Sequence, residues 1–128
     1  MPTLKHLFTL HGVIALVNGA VIVVVPALYM SIFGISIESP EAIFISRLLG
    51  AALLAYGFVA WLARDAGPSD ARQAIVLGFF ISIAIGFVIT LAAQLSGVMN
   101  TLGWALVALY FLMGLDYGFF YFVKKDNP

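Results

Sequence analysis

The chain contains no cysteine. That excludes disulfide exchange, thiolate catalysis and iron–sulfur ligation. Charge is almost as scarce: only 9% of the 128 residues are Asp, Glu, Lys or Arg, against about 25% in an ordinary soluble domain. The six basic and six acidic residues balance to a net charge of zero, so nothing points to nucleic acid or to a strongly charged substrate. Phosphate-binding glycine loops, nucleophile motifs and metal-ligand spacings are missing as well. A single compact domain spanning 1–128 fits the length and leaves no room for a soluble catalytic module.

Four long apolar runs occupy most of the chain. They cover residues 7–33, 42–62, 74–95 and 101–123, and each reaches the ~20 residues that an α-helix needs to cross a ~30 Å hydrocarbon core. The first and third contain no formal charge, the second only Arg47 and the fourth only Asp116. With 63% hydrophobic residues, the expected class is an all-α integral membrane protein. Strands are excluded, because an open sheet leaves its edges unsatisfied in lipid. A signal peptide is the competing reading of the N-terminus. The first run, however, is far longer than the usual 7–15-residue apolar region.

The links set the helix ends. Pro26 should kink the outer part of the first helix, since proline lacks a backbone donor and clashes with the preceding turn. Ser39-Pro40-Glu41 suits a helix start, with Ser39 as N-cap and Pro40 at the first helical position. Ser69 or Asp70 can cap the third helix. Lys5, Arg64, Arg72, Lys124 and Lys125 fall on one side of a four-crossing topology, and only Arg47 falls toward the other. By the positive-inside rule both termini face the cytoplasm, and the expected location is the plasma (cytoplasmic) membrane, crossed several times. Short links make successive helices neighbours in an antiparallel up-down-up-down bundle.

Lipid supplies no hydrophobic drive between helices, so small residues are expected where helices touch. Gly78, Ser82, Gly86 and Thr90 form a ladder spaced by four; Gly50 and Gly57 mark the second helix, and Gly103, Gly114 and Gly118 the fourth. Gly114 and Asp116 lie about 200° apart around their helix, so only one of them can face the bundle centre. If Asp116 points inward, Gly114 and Gly118 face lipid or a second copy.

Ionisable groups inside a bilayer are costly and are functional candidates by default. Arg47 lies near the outer end of the second helix, where it can snorkel or pair with Glu41 or Glu38 as an outer charged site. Asp116 lies on the order of 10 Å from the inner end of the fourth helix, too deep for a short carboxylate to snorkel. Partners at comparable depth are His11 and Asn18, seven apart on the first helix, with Ser82 and Tyr56. Roughly 14 Å of depth on a ~30 Å core separates Arg47 from Asp116, so the two are not expected to pair. Trp61, Tyr117 and Tyr121 suit an inner aromatic belt and Trp104 an outer one. His6 and His11 share one helix and cannot clamp a haem between facing helices, although either could ligate a pigment or metal singly. No cofactor is evident; a lipid or other hydrophobic molecule is the ligand class that such a bundle would take.

Pro26 with Phe33-Gly34, Arg47-Leu48-Leu49-Gly50-Ala51, and Gln94-Leu95-Ser96-Gly97-Val98-Met99-Asn100 leading into Gly103-Trp104 resemble a set of small, mostly uncharacterised four-helix membrane proteins of bacteria and archaea, distantly DoxX-like. The resemblance implies a four-helix membrane fold and no particular activity. Three function classes fit the sequence. The first is a non-enzymatic accessory, scaffold or hydrophobic-ligand-binding bundle, in a homo-oligomer or larger membrane complex. The second is a minimal oligomeric transporter or proton-linked channel using Asp116. The third is a quinone-linked enzyme subunit.

Overall fold

The computed structural model describes residues 3–124, so Lys125, counted in the charge bias, lies outside the described residues. Those residues form five α-helices and no strand: α1 Leu4–Val24, α2 Pro26–Ile32, α3 Pro40–Ala63, α4 Asp70–Leu95 and α5 Gly103–Gly118. A π-helical turn, Phe119–Val123, continues α5. Four stretches are long and apolar enough to cross a membrane: Leu4–Val24, Pro40–Ala63, Asp70–Leu95 and Gly103–Val123. Their outer surfaces are apolar too; Leu62 and Val123 are 75% and 73% exposed, a cost that water would penalise and lipid does not.

Local chemistry explains the helix ends. Thr3 caps α1: its hydroxyl accepts from the His6 N–H at 3.3 Å, and His6 Nδ1 accepts from the Thr3 N–H at 3.3 Å. That reciprocal cap starts the helix earlier than the apolar run alone suggests. Ser39 accepts from Ala42 N–H at 3.0 Å and Ser69 from Arg72 N–H at 3.1 Å, as their positions predict. Two glycines close helix C-termini with φ of 77° (Gly34) and 78° (Gly97), a left-handed conformation that β-carbon-bearing residues rarely adopt. The following residues complete the caps, with Ile35 N–H donating to Met30 O and Val98 N–H to Ala93 O, both at 3.0 Å.

The expected continuous first helix is divided. Val25 leaves helical geometry at φ −133° and ψ 65°, and α2 begins at Pro26. Pro26 has no N–H to offer the Ile22 carbonyl, so the hydrogen-bond ladder stops there instead of merely bending.

The chain divides into two compact units between Asp65 and Ala66. In the N-terminal unit α1 and α3 meet through glycines. A β-carbon on Gly19 would stand 2.8 Å from Gly50 O and 2.9 Å from Leu54 N; one on Gly57 would stand 2.9 Å from Leu16 N. Gly50 faces Gly19 O and Val23, and Gly12 faces Gly57 O and the Trp61 backbone. The contacts run in opposite order along the two helices. Each glycine is the notch for a larger neighbour: Leu54 over Gly19, Leu16 over Gly57, Val23 over Gly50. Gly12 and Gly19, like Gly50 and Gly57, recur at seven residues, the repeat that keeps one seam facing its partner.

The C-terminal unit is closed by rings instead. Tyr110 fills the notch at Gly86, where a β-carbon would come 2.5 Å from Tyr110 Cε1, and Phe80 lies over Gly118. Phe79 packs on Tyr117 at 5.4 Å and Phe87 on Phe111 at 5.6 Å between ring centres. A β-carbon on Gly78 would meet nothing within 4 Å, so the expected ladder on this helix makes close contact at Gly86 and not at Gly78. Gly114 and Gly118 turn toward α4, against Ile83 and Phe80.

Candidate functional site

Because Gly114 and Gly118 face α4, the 200° offset turns Asp116 away from it. Asp116 is exposed, and among the described residues its carboxylate makes no hydrogen bond or ion pair. Ser82, in the same unit, is half-buried on α4. The other members of the expected polar cluster belong to the N-terminal unit. His11 is buried, Tyr56 is 39% exposed, and Asn18 is half-buried.

Asn18 has a partner that the spacing did not suggest. Tyr29 Oη donates to Asn18 Oδ1 at 2.7 Å, while Asn18 Nδ2 donates to Ile14 O at 2.7 Å. Eleven residues of straight helix would separate Asn18 and Tyr29 by roughly 16 Å, beyond a tyrosine's reach. The bond forms because the chain turns at Val25, and it holds α2 back against α1.

Arg47 closes the same break from the neighbouring helix. Its Nε donates to Val23 O at 3.1 Å. Val23 is in the last turn of α1, where carbonyls have lost their helical donors and the helix dipole favours a cation. The expected pairing with Glu38 or Glu41 does not form: among the described residues the ion pairs are Lys5–Asp65 at 2.9 Å and Arg64–Asp65 at 3.8 Å. Glu38 accepts from Ser36 Oγ at 3.4 Å instead. The six-residue offset between Glu41 and Arg47 places them on different faces of α3. A sequence signal for the Arg47–Val23 contact did exist: a proline break and a lone arginine fall toward the same end of two consecutive apolar helices.

The opposite end of the N-terminal unit has a second charged group. Arg64 lies over the Trp61 ring, 4.1 Å from its centre, and its Nη1 donates to Trp61 O at 2.6 Å. The Lys5 ammonium beside Asp65 holds that carboxyl below its usual range by hydrogen bond and charge. These residues form an aromatic and ionic collar suited to a membrane–water boundary.

In the C-terminal unit the segment 94–103 is a self-closed turn. Gln94 Nε2 donates to Asn100 O at 3.1 Å, and Asn100 Oδ1 accepts from Leu102 N–H at 3.0 Å. The Gln94 Oε1 lies against Gly103, where a β-carbon would not fit. Those residues have a turn-building role, which accounts for their grouping. Among the described residues no three His, Asp or Glu side chains gather as metal ligands. His6 is engaged in capping α1.

The arrangement can therefore hold a broken helix in place, present one guanidinium beside the break, and present one carboxylate on the face of α5 turned away from α4. Compared with protein-family models, curated proteins and solved structures, the chain matches none of them.

Proposed function

We propose that this chain is a non-enzymatic membrane scaffold, an accessory subunit of a homo-oligomer or larger complex in the plasma membrane. In this reading its four long helical stretches form an antiparallel up-down-up-down bundle, akin to the distantly DoxX-like proteins, with both termini cytoplasmic. The observation that carries the reading is how the polar side chains within the apolar helices are used: Arg47 on Val23 O, and Tyr29 with Asn18 across the break. Both ties hold backbone together.

Asp116 supports the accessory role, because a carboxylate on the face of α5 turned away from α4 requires a partner or a proton. Asp116→Asn should fold normally and associate roughly ten- to a hundredfold more weakly, the loss of one hydrogen bond to a charged group. Native mass spectrometry of gently extracted protein reads this directly. A wild-type chain that is monomeric and without partners sinks the accessory reading. The same exposed carboxylate favours, second, a minimal proton-linked transporter. Proton uptake into proteoliposomes that Asp116→Asn abolishes would move the assignment there.

Orientation is tested with single cysteines at Ser69 and Ser96. Ser96 is chosen because its neighbour Gly97 needs a left-handed backbone that cysteine would strain. In intact cells an impermeant maleimide should label Ser96→Cys and leave Ser69→Cys untouched. The reverse pattern inverts the topology.

A further inference from the structure

The guanidinium of Arg47 is only partly engaged. Its Nε is anchored on Val23 O, and among the described residues its two Nη groups have no partner. The side chain is exposed on a surface that is otherwise apolar: Phe44 and Leu48 on α3 are 61% and 55% exposed, and Val24 and Leu28 beside the break are 70% and 62% exposed. Among the described residues no carboxylate serves as its counter-ion. An unpaired charge on such a surface is expensive in lipid, so the group requires an anion that lipid itself brings.

Position narrows the choice. α3 has 24 residues, about 36 Å of helix against a ~30 Å hydrocarbon core. Arg47 lies seven residues beyond Pro40, about 10 Å along the axis and hence roughly 7 Å below the hydrocarbon edge of a centred helix. Side chains on a helix lean toward its N-terminus, here the near headgroup layer. A guanidinium at that depth snorkels to the phosphate level. With Nε held by Val23, the Nη1–Nη2 edge remains, two parallel donors that match two oxygens of one phosphate.

We propose that Arg47 binds the phosphate of a membrane-lipid headgroup through its Nη edge, so that one lipid is seated at the α1–α2 break. The proposal rests on the membrane-spanning reading. It joins the break, the anchoring carbonyl and the lipid in one chain of contacts: the lipid holds the guanidinium, and the guanidinium holds α1.

The test compares nanodiscs of phosphatidylcholine with nanodiscs of digalactosyl diacylglycerol of the same acyl chains. Both lipids are uncharged overall, and only the first has phosphate. Wild-type protein should unfold at higher temperature in phosphatidylcholine and retain a phospholipid on release into native mass spectrometry. Arg47→Gln, its folding in the galactolipid discs checked by circular dichroism, should lose both the difference and the lipid; a folded variant that keeps both overturns the proposal. Equal midpoints and no retained phospholipid for the wild type overturn the proposal, whatever the variant does. Inorganic phosphate that restores the higher midpoint in galactolipid discs also overturns it, by showing a free-anion site. Protein that enters neither disc refutes the membrane reading itself.

Discussion

Gly19→Val should largely disrupt the N-terminal helix pair, whereas Gly78→Val should leave stability nearly unchanged. The first β-carbon would enter within 2.8 Å of Gly50 O and 2.9 Å of Leu54 N, both backbone atoms that cannot rotate out of the way. Ordinary overpacking costs about 1–3 kcal/mol, relieved mostly by side chains. Here relief requires separating two helices along their seam, so a loss of about 3 kcal/mol or more is expected. At Gly78 the added carbon meets no atom within 4 Å, and replacing a helical glycine removes backbone entropy from the unfolded chain. Denaturant titration in a mild detergent, followed by circular dichroism, measures both. Equal stability of the two variants would rule out the backbone contact between α1 and α3.

The second large effect is a coupling. Arg47→Met should cost about 1.5–3 kcal/mol, the usual worth of a hydrogen bond from a charged donor. The cost should shrink when Pro26 is also replaced by alanine. Alanine restores an N–H for the Ile22 carbonyl and lets the helix run on, so that Val23 O can take its donor from Ala27. A double-mutant cycle in maltoside detergent, which contains no phosphate, isolates this cap from any bound lipid. The expected coupling is about 0.5–3 kcal/mol, and strict additivity would show that Arg47 does not act through the break.

Much of the helix map is legible in one dimension. Ser39-Pro40 and Ser69 mark starts that the hydrogen bonds realise, because an N-cap needs only residues three apart in sequence. The α1 start at Leu4 was less visible, since His6 in a capping box is less familiar than glutamate or glutamine. Pro26 announced a disturbance but not its size; whether a proline bends a helix or divides it depends on what satisfies the freed carbonyls. Gly50 and Gly57 stand out in the sequence as packing residues, and Gly12 and Gly19 repeat at the same interval without any neighbour that marks their face as the packed one. Their role depends on which face of α1 meets α3.

What the sequence determined alone was the number of long apolar helices, most of their caps and the two lone charges within them, because hydropathy and capping are properties of neighbours along the chain. Tertiary structure decided the contacts: Arg47 on Val23 O in place of a glutamate, Tyr29 on Asn18 across the break, and Asp116 turned away from α4 by the glycines two residues to either side. Each depends on the rotation of one helix about its axis relative to the next. That angle follows from how side chains of the two helices fit together, and a linear spacing does not contain it.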